Sequence, residues 1–149
     1  MDKILNMLGL MRRANAIQIG ETNTGSAVRA GKGKLLLLAA DASDNAKSRA
    51  QGFARGRNIT TVSLPYTKEE ISAAVGVSGC SMASVTDLGF ANALMKALSE
   101  AVPDAYSEAA GEVEERLQRA QRRKSEADAH RRNKRLDEQE FTALYKLDL

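Results

Sequence analysis

The sequence predicts a three-layer α/β/α sandwich with a small mixed sheet, followed by a charged C-terminal extension that is helical or partly disordered. Three observations carry this expectation. Strand-like segments at 35–40, 58–64 and 81–86 alternate with helix-like segments of ten or so residues. The chain is 43% hydrophobic but only 4% aromatic, with no Trp, so a core is feasible if Leu, Ile, Val, Met and Ala build it. Around Pro103 the composition shifts from mixed to densely charged. The boundary is therefore expected there, with a domain over 1–99 that folds alone and an extension over 100–149.

Each element has its own signal. Asp2 can cap a helix whose apolar residues Ile4, Leu5, Leu8 and Met11 recur at helical spacing. Gly20 interrupts, and a short second helix is expected at 22–30, stopped by Gly31. Gly25 inside it costs ~1 kcal/mol against Ala. The Leu35-to-Ala40 run is short and flanked by Gly and Asp, which favours a strand buried on both faces. A helix follows at 43–55 with Ser43 or Asp44 as its cap, and Gly56 ends it. Residues 58–64 are β-branched and stop at Pro65, a second strand. Thr67 and Glu70 stand at capping-box spacing, opening a helix that closes near Gly76. Residues 81–86 make a third strand, and Phe90, Leu94, Met95 and Leu98 give the helix at 89–99 its apolar stripe.

Charge divides the chain. Residues 1–99 carry 12 Lys/Arg against 7 Asp/Glu, whereas 100–149 carry 10 against 12. The extension is acidic to Glu115, basic over 116–135, then acidic again with Phe141, Leu144, Tyr145 and Leu147. Its apolar stripe, Val113, Leu117 and Ala120, is thin. With one cysteine, Cys80, no intrachain disulfide can form, which fits a reducing compartment. The N-terminus lacks the features of a signal peptide, and no apolar run approaches the ~20 residues of a membrane helix. A cytoplasmic protein without a membrane partner is expected.

Catalysis finds little to work with. His130 is the single histidine and lies in the charged extension, so no Ser–His or Cys–His pair fits the core. One Cys and one His also exclude the usual zinc sites. Neither a Walker-type loop nor a GxGxxG is present. Gly31-Lys32-Gly33-Lys34 precedes a strand rather than a helix, so it reads as a basic turn. Asp41 and Asp44 follow a buried strand, where carboxylates can hold Mg²⁺ or accept phosphate. Turn-ordering and helix-capping roles explain them as well. No enzyme, metal, cofactor or small-molecule substrate is expected. At residues 20–26 a glycine turn opens a helix, which presents N–H groups and a positive helix end to an anion. Thr22, Asn23 and Ser26 could reach a phosphate or base edge there, with Arg29, Lys32 and Lys34 close in sequence. An ordinary capped helix has the same features.

The ordered set of segments at 4–14, 20–21, 31–45, 67–71, 74–76 and 85–91 resembles the ribosomal protein L-seven-Ae family of kink-turn RNA-binding proteins, in particular its small bacterial YlxQ-like branch. The resemblance covers residues 2–98. It implies the same sandwich, no catalysis, and structured RNA as partner, ribosomal or otherwise kink-turn-like, with the ribosome as its setting. RNA in the family contacts three pieces, matched here by Gly20, Glu21, Thr22, Asn23 and Ser26; by Ala40, Asp41 and Ala42; and by Gly76, Val77, Ser78, Gly79, Cys80 and Ser81. Arg29, Lys32 and Lys34 are expected to add phosphate contacts. The chain departs from the family pattern where Asn-Glu is followed three residues later by Lys. Thr22-Asn23 and then Ser26 stand there instead. The alternative reading is a protein–protein adaptor acting through the charged C-terminal helix.

Overall fold

The computed structural model describes residues 2–147, with side chains through residue 140. Helix α1 (Lys3–Arg13) leads to strand β1 (Ile17–Ile19), then α2 (Glu21–Arg29), β2 (Leu35–Leu38) and α3 (Asp44–Ala54). The chain continues through β3 (Thr60–Ser63), α4 (Lys68–Val75), β4 (Met82–Val85), α5 (Leu88–Ala101) and α6 (Pro103–Leu147). The strands form one mixed sheet in the order β1-β4-β2-β3. β2 and β3 are parallel, while β4 runs antiparallel to both β1 and β2.

Alternation along the strands sorts the core into two layers. Leu35, Leu37, Ala83, Val85 and Val62 face one side, where they meet Leu8 and Met11 of α1, Ile71 of α4 and Leu94, Met95 and Leu98 of α5. Leu36, Leu38 and Met82 face the other, against Val28 of α2 and Ala46 and Ala50 of α3. β2 and β4 are buried along their whole length, as expected of strands covered on both faces. β3, at the sheet edge, alternates buried and exposed. The predicted α/β/α sandwich with a small mixed sheet and a helical C-terminal extension is the fold observed.

The caps explain where the helices begin. Asp2 accepts from the Ile4 N–H at 2.7 Å, Ser43 from Ala46 at 3.1 Å and Asp87 from Phe90 at 2.9 Å. Thr67 and Glu70 close a reciprocal capping box. β1 has no counterpart among the sequence expectations. It is three residues long, Ile-Gln-Ile, and exists by pairing with β4 across Ile17–Val85 and Ile19–Ala83.

The first compact unit runs from the N-terminus to Glu115, past the boundary expected at Pro103. The reason is the start of α6, which covers the exposed edge of β3. Tyr106 donates to the Ser63 carbonyl at 2.6 Å and Thr60 donates to Glu112 at 2.8 Å. Tyr106 and Val113 are buried in the larger core layer. The second unit, from Arg116 on, continues the same helix, and Arg131 pairs with Asp128 along it. Over residues 116–140, Leu117, Ala120 and Ala127 fall on one side and Ala129 and Leu136 on the other, at 100° per residue, so the described side chains form no apolar face. The side chains of Phe141, Leu144, Tyr145 and Leu147 lie outside the described residues.

Candidate functional site

Three loops converge at the end of the sheet where β4 begins. Antiparallel pairing sets Ile19 beside Ala83, so the chain leaves β1 next to the start of β4 and the Gly20 N–H donates to the Met82 carbonyl at 3.0 Å. β2 finishes at the same end, and the Ala39 N–H donates to the Ser81 carbonyl at 2.9 Å. The start of α2, the turn after β2 and the loop before β4 are thereby joined by main-chain hydrogen bonds. These are the three pieces that the sequence singled out.

Gly20 sits at φ 93°, ψ 162°, a region that a side chain disfavours, and it allows the strand to turn directly into the helix. α1, α3, α4 and α5 each start with a side-chain cap, whereas α2 starts at this glycine without one. Its positive end is left open to an acceptor from outside. Along α2, Thr24, Gly25, Ala27 and Val28 are buried, while Thr22, Asn23 and Ser26 are exposed. Asn23 and Ser26, three apart, share a face. The Asn23 amide nitrogen donates to the Ile19 carbonyl at 2.9 Å, which fixes the side chain over the helix start and leaves its amide oxygen as an acceptor. Glu21 forms an ion pair with Arg49 of α3, so its carboxylate is partly neutralised.

In the second piece, Ala40 is exposed and its N–H donates to the Tyr66 carbonyl at 2.7 Å, while Ala42 is buried beneath it. The Asp41 carboxylate accepts from the Lys68 N–H at 2.8 Å. Asp41 thus ties the turn to the first residue of α4, and Asp44 stands in the first turn of α3. Both carboxylates serve helix starts, the plainer of the two roles open to them. Among the described residues no group of three or more His, Cys, Asp or Glu side chains could hold a metal ion.

The third piece leaves α4 through Gly76 at φ 75° and turns again at Gly79, also φ 75°. Cys80 is buried, and its thiol donates to the Val77 carbonyl at 3.2 Å. Its N–H donates to the Ser72 hydroxyl at 3.4 Å. Ser78 and Gly79 are exposed at the tip, with Val77 and Ser81 half-buried at its base. The loop is thus anchored from below and presents mostly backbone outward. Tyr66, Lys68, Ser72 and Arg49 support the site without any signal in the sequence pattern. Each acts through a contact with a residue distant in sequence or through a main-chain group.

Lys32 and Lys34 stand away from this cluster. The Lys34 N–H donates to the Val85 carbonyl at 2.8 Å, which puts it at the far end of β4. α2 spans nine residues, about 13 Å, before the chain reaches Lys32, whereas Arg29, three residues past Ser26, turns its guanidinium back toward Gly25.

A model of the ribosomal protein L7Ae/L30e/S12e/Gadd45 family matches residues 2–95. The chain belongs to this family. The match ends inside α5, so α6 lies outside it. Among solved structures, a protein with unknown function from Bacillus halodurans C is 25% identical, with a TM-score of 0.61 over 66% of this chain and 99% of that one. A Giardia lamblia 15.5kD RNA binding protein is 19% identical, with a TM-score of 0.52 over 67% of this chain and 88% of that one. No curated protein matches the chain.

Proposed function

We propose that this member of the L7Ae/L30e/S12e/Gadd45 family binds structured RNA, of kink-turn or kink-turn-like shape, without catalysis. The observation that carries the reading is the hydrogen-bonded junction of the three loops, Gly20 to Met82 and Ala39 to Ser81, at the uncapped start of α2. Such a surface offers N–H groups, one positioned amide and glycine-rich backbone. These suit phosphates, 2′-hydroxyls and the edges of bases splayed from a stack. The Giardia structure adds support through its fold. The proposal extends to a ribosome-associated role, which the ribosomal-protein name of the family supports. Among the described residues no helix is long and apolar enough to cross a membrane. The adaptor alternative is weakened over residues 116–140 of α6, whose described side chains make no apolar face to lay into a partner's groove.

Titration against a kink-turn RNA and a control with its G·A pairs replaced tests the reading, with a preference for the first expected. Asn23→Ala should erode that preference. Ser26→Lys restores the family's cation and should tighten the kink-turn complex by about 1–3 kcal/mol if it meets a guanine edge. Equal tightening on both RNAs would mean that the new Lys found only phosphates. Indifference of the wild-type chain to both RNAs would sink the reading.

A further inference from the structure

We propose that the opposite end of the sheet is a second RNA-contact surface, a sequence-independent seat for the phosphates of an A-form helix. Arg29, Lys32, Lys34, Arg55 and Arg57 build it. The inference takes RNA as the ligand, as above, but it stands on other residues.

The topology brings these five cations together from two chain segments. α2 and α3 cover the same face of the sheet and touch each other, and both finish at this end. The chain then enters β2 at Leu35 and β3 at Thr60, which are direct partners in the parallel pair. The turns leading in, around Lys32–Lys34 and Arg55–Arg57, therefore lie side by side. Residues 27–34 and 53–59 contain five Lys/Arg and no Asp or Glu. Carboxylates at this end include Asp87, which caps α5, and Glu112 on α6, which accepts from Thr60. Both belong to elements that cover the other face.

Complementing the partial negative charge at a helix C-terminus accounts for a cation or two, not for five. Part of the group is also held in place. The Arg29 guanidinium lies over the half-buried Phe53 ring, 6.0 Å from its centroid, and Arg57 Nη1 donates to the Phe53 carbonyl at 3.0 Å. The Phe53 ring in turn fills the space where a side chain on Gly25 would stand, 2.9 Å from that position. One guanidinium over the Phe53 ring and one on the Phe53 main-chain carbonyl, flanked by exposed Lys32 and Arg55, make a surface that meets phosphate oxygens with several donors at little ordering cost. The nine residues of α2, about 13 Å, separate the loop junction at Gly20 from Lys32 and Lys34, too far for one phosphate to touch both. One protein could then clamp a structured RNA element at one end and a helical arm at the other.

The test uses the full chain with Lys32→Gln, Lys34→Gln and Arg55→Gln combined, which spares the two arginines that touch Phe53. Binding is measured from about 50 to 200 mM salt on a plain RNA duplex, the kink-turn RNA and its G·A-replaced control. The expected result is an unchanged melting temperature and a salt slope shallower by about two. Each lost phosphate contact is worth roughly 0.7–0.9. Affinity for all three RNAs should fall by the same factor, about tenfold or more at the lowest salt. An unchanged slope would overturn the proposal, as it must if the patch serves an acidic protein instead. Loss of the kink-turn preference in this variant would also overturn it, because the patch would then be the specific site. Should the wild type show no kink-turn preference while the slope still depends on the patch, only the function proposed above fails.

Discussion

The two ends of the sheet offer RNA different chemistry, although a four-residue strand connects them. At the end where β4 begins, the groups on view are main-chain N–H, an amide and glycine turns, and Glu21 is already paired with Arg49. At the end where β4 finishes stand five cations, one of which, Arg29, lies over a half-buried phenylalanine. Shape can be read at the first and charge felt at the second, which is how positioning and specificity divide in nucleic-acid complexes generally. The comparison also shows why nearness in sequence misleads. Lys32 and Lys34 follow Gly20 by only twelve and fourteen residues, yet the nine-residue helix between carries them to the other end.

The comparison assumes that the sheet holds its ends in fixed relation, and the largest effect tests that assumption. The first turns of α6 run along β3 from Ser63, bonded to Tyr106, to Thr60, bonded to Glu112, and so brace both ends. A chain ending at Glu115 should melt cooperatively near the full-length midpoint. One ending at Ser99 loses the buried Tyr106 and Val113, each worth roughly 1.5–3 kcal/mol. It should be less stable by about 3–5 kcal/mol in urea titrations. Equal midpoints for the two truncated chains would mean that residues 1–99 hold both ends unaided.

That test concerns the least legible part of the fold. The alternation of strands and helices could be read because each strand except β1 is an apolar or β-branched run between turn residues. Caps at Asp2, Ser43 and Thr67 marked their helices for the same local reasons. β1 was not legible, since three residues cannot display a period of two and its partner lies more than sixty residues away. Pro103 reads as a break by composition, but it opens α6, a first helical position at which its missing N–H costs nothing. Ala39 and Ala40 extend the leucine run in sequence but belong to the turn, because their N–H groups bond to Ser81 and Tyr66. Of the three site loops, the start of α2 was legible from its own residues and the other two only through the family resemblance. The contacts that join them, Gly20 to Met82 and Ala39 to Ser81, are between main-chain atoms and leave no mark on residue type.

A smaller effect sharpens how the ends communicate through α2. By helix propensity alone, Gly25→Ala should stabilise the protein by about 1 kcal/mol. The added methyl would stand 2.9 Å from the Phe53 ring and 3.1 Å from Arg29 Nη1, inside normal contact distance. The expected outcome is a loss of about 1 kcal/mol instead, together with weaker binding to plain duplex. Pairing it with Phe53→Leu, which vacates the ring edge, should recover the stability but not the duplex affinity, because Arg29 loses its platform. A simple gain in stability from Gly25→Ala would show that Phe53 moves aside freely and does not fix the basic end.

The smallest effect concerns pH and belongs to the loop-junction end. Tyr66 donates its hydroxyl to Asp2, and this bond, with the Ile4 N–H, holds the Asp2 carboxyl below the usual carboxylate range. Burial chiefly, and then Asp2, push the Tyr66 phenol above its ordinary value. A carboxyl lowered in the folded state contributes stability above its unfolded value, near 3.9, and that contribution fades as pH falls through the folded value. A phenol raised in the folded state contributes below its unfolded value, near 10, and the contribution fades as pH rises beyond it. Tyr66→Phe removes the shared hydrogen bond, so stability should drop at neutral pH by less than about 1 kcal/mol, as expected for an exposed carboxylate partner. The fall toward pH 3 should become shallower than in the wild type, and the alkaline fall that Tyr66 ionisation causes should vanish. Unfolding by urea at pH 3, 7 and 10.5 reads all three. The site depends on the Tyr66 carbonyl, which holds Ala40, and not on the phenol. The kink-turn preference at pH 7 should therefore survive the substitution. A variant that kept its acid sensitivity but lost that preference would put the Tyr66 side chain into the positioning of the loop after β2, and the hydroxyl would have to be counted with the site rather than with the start of α1.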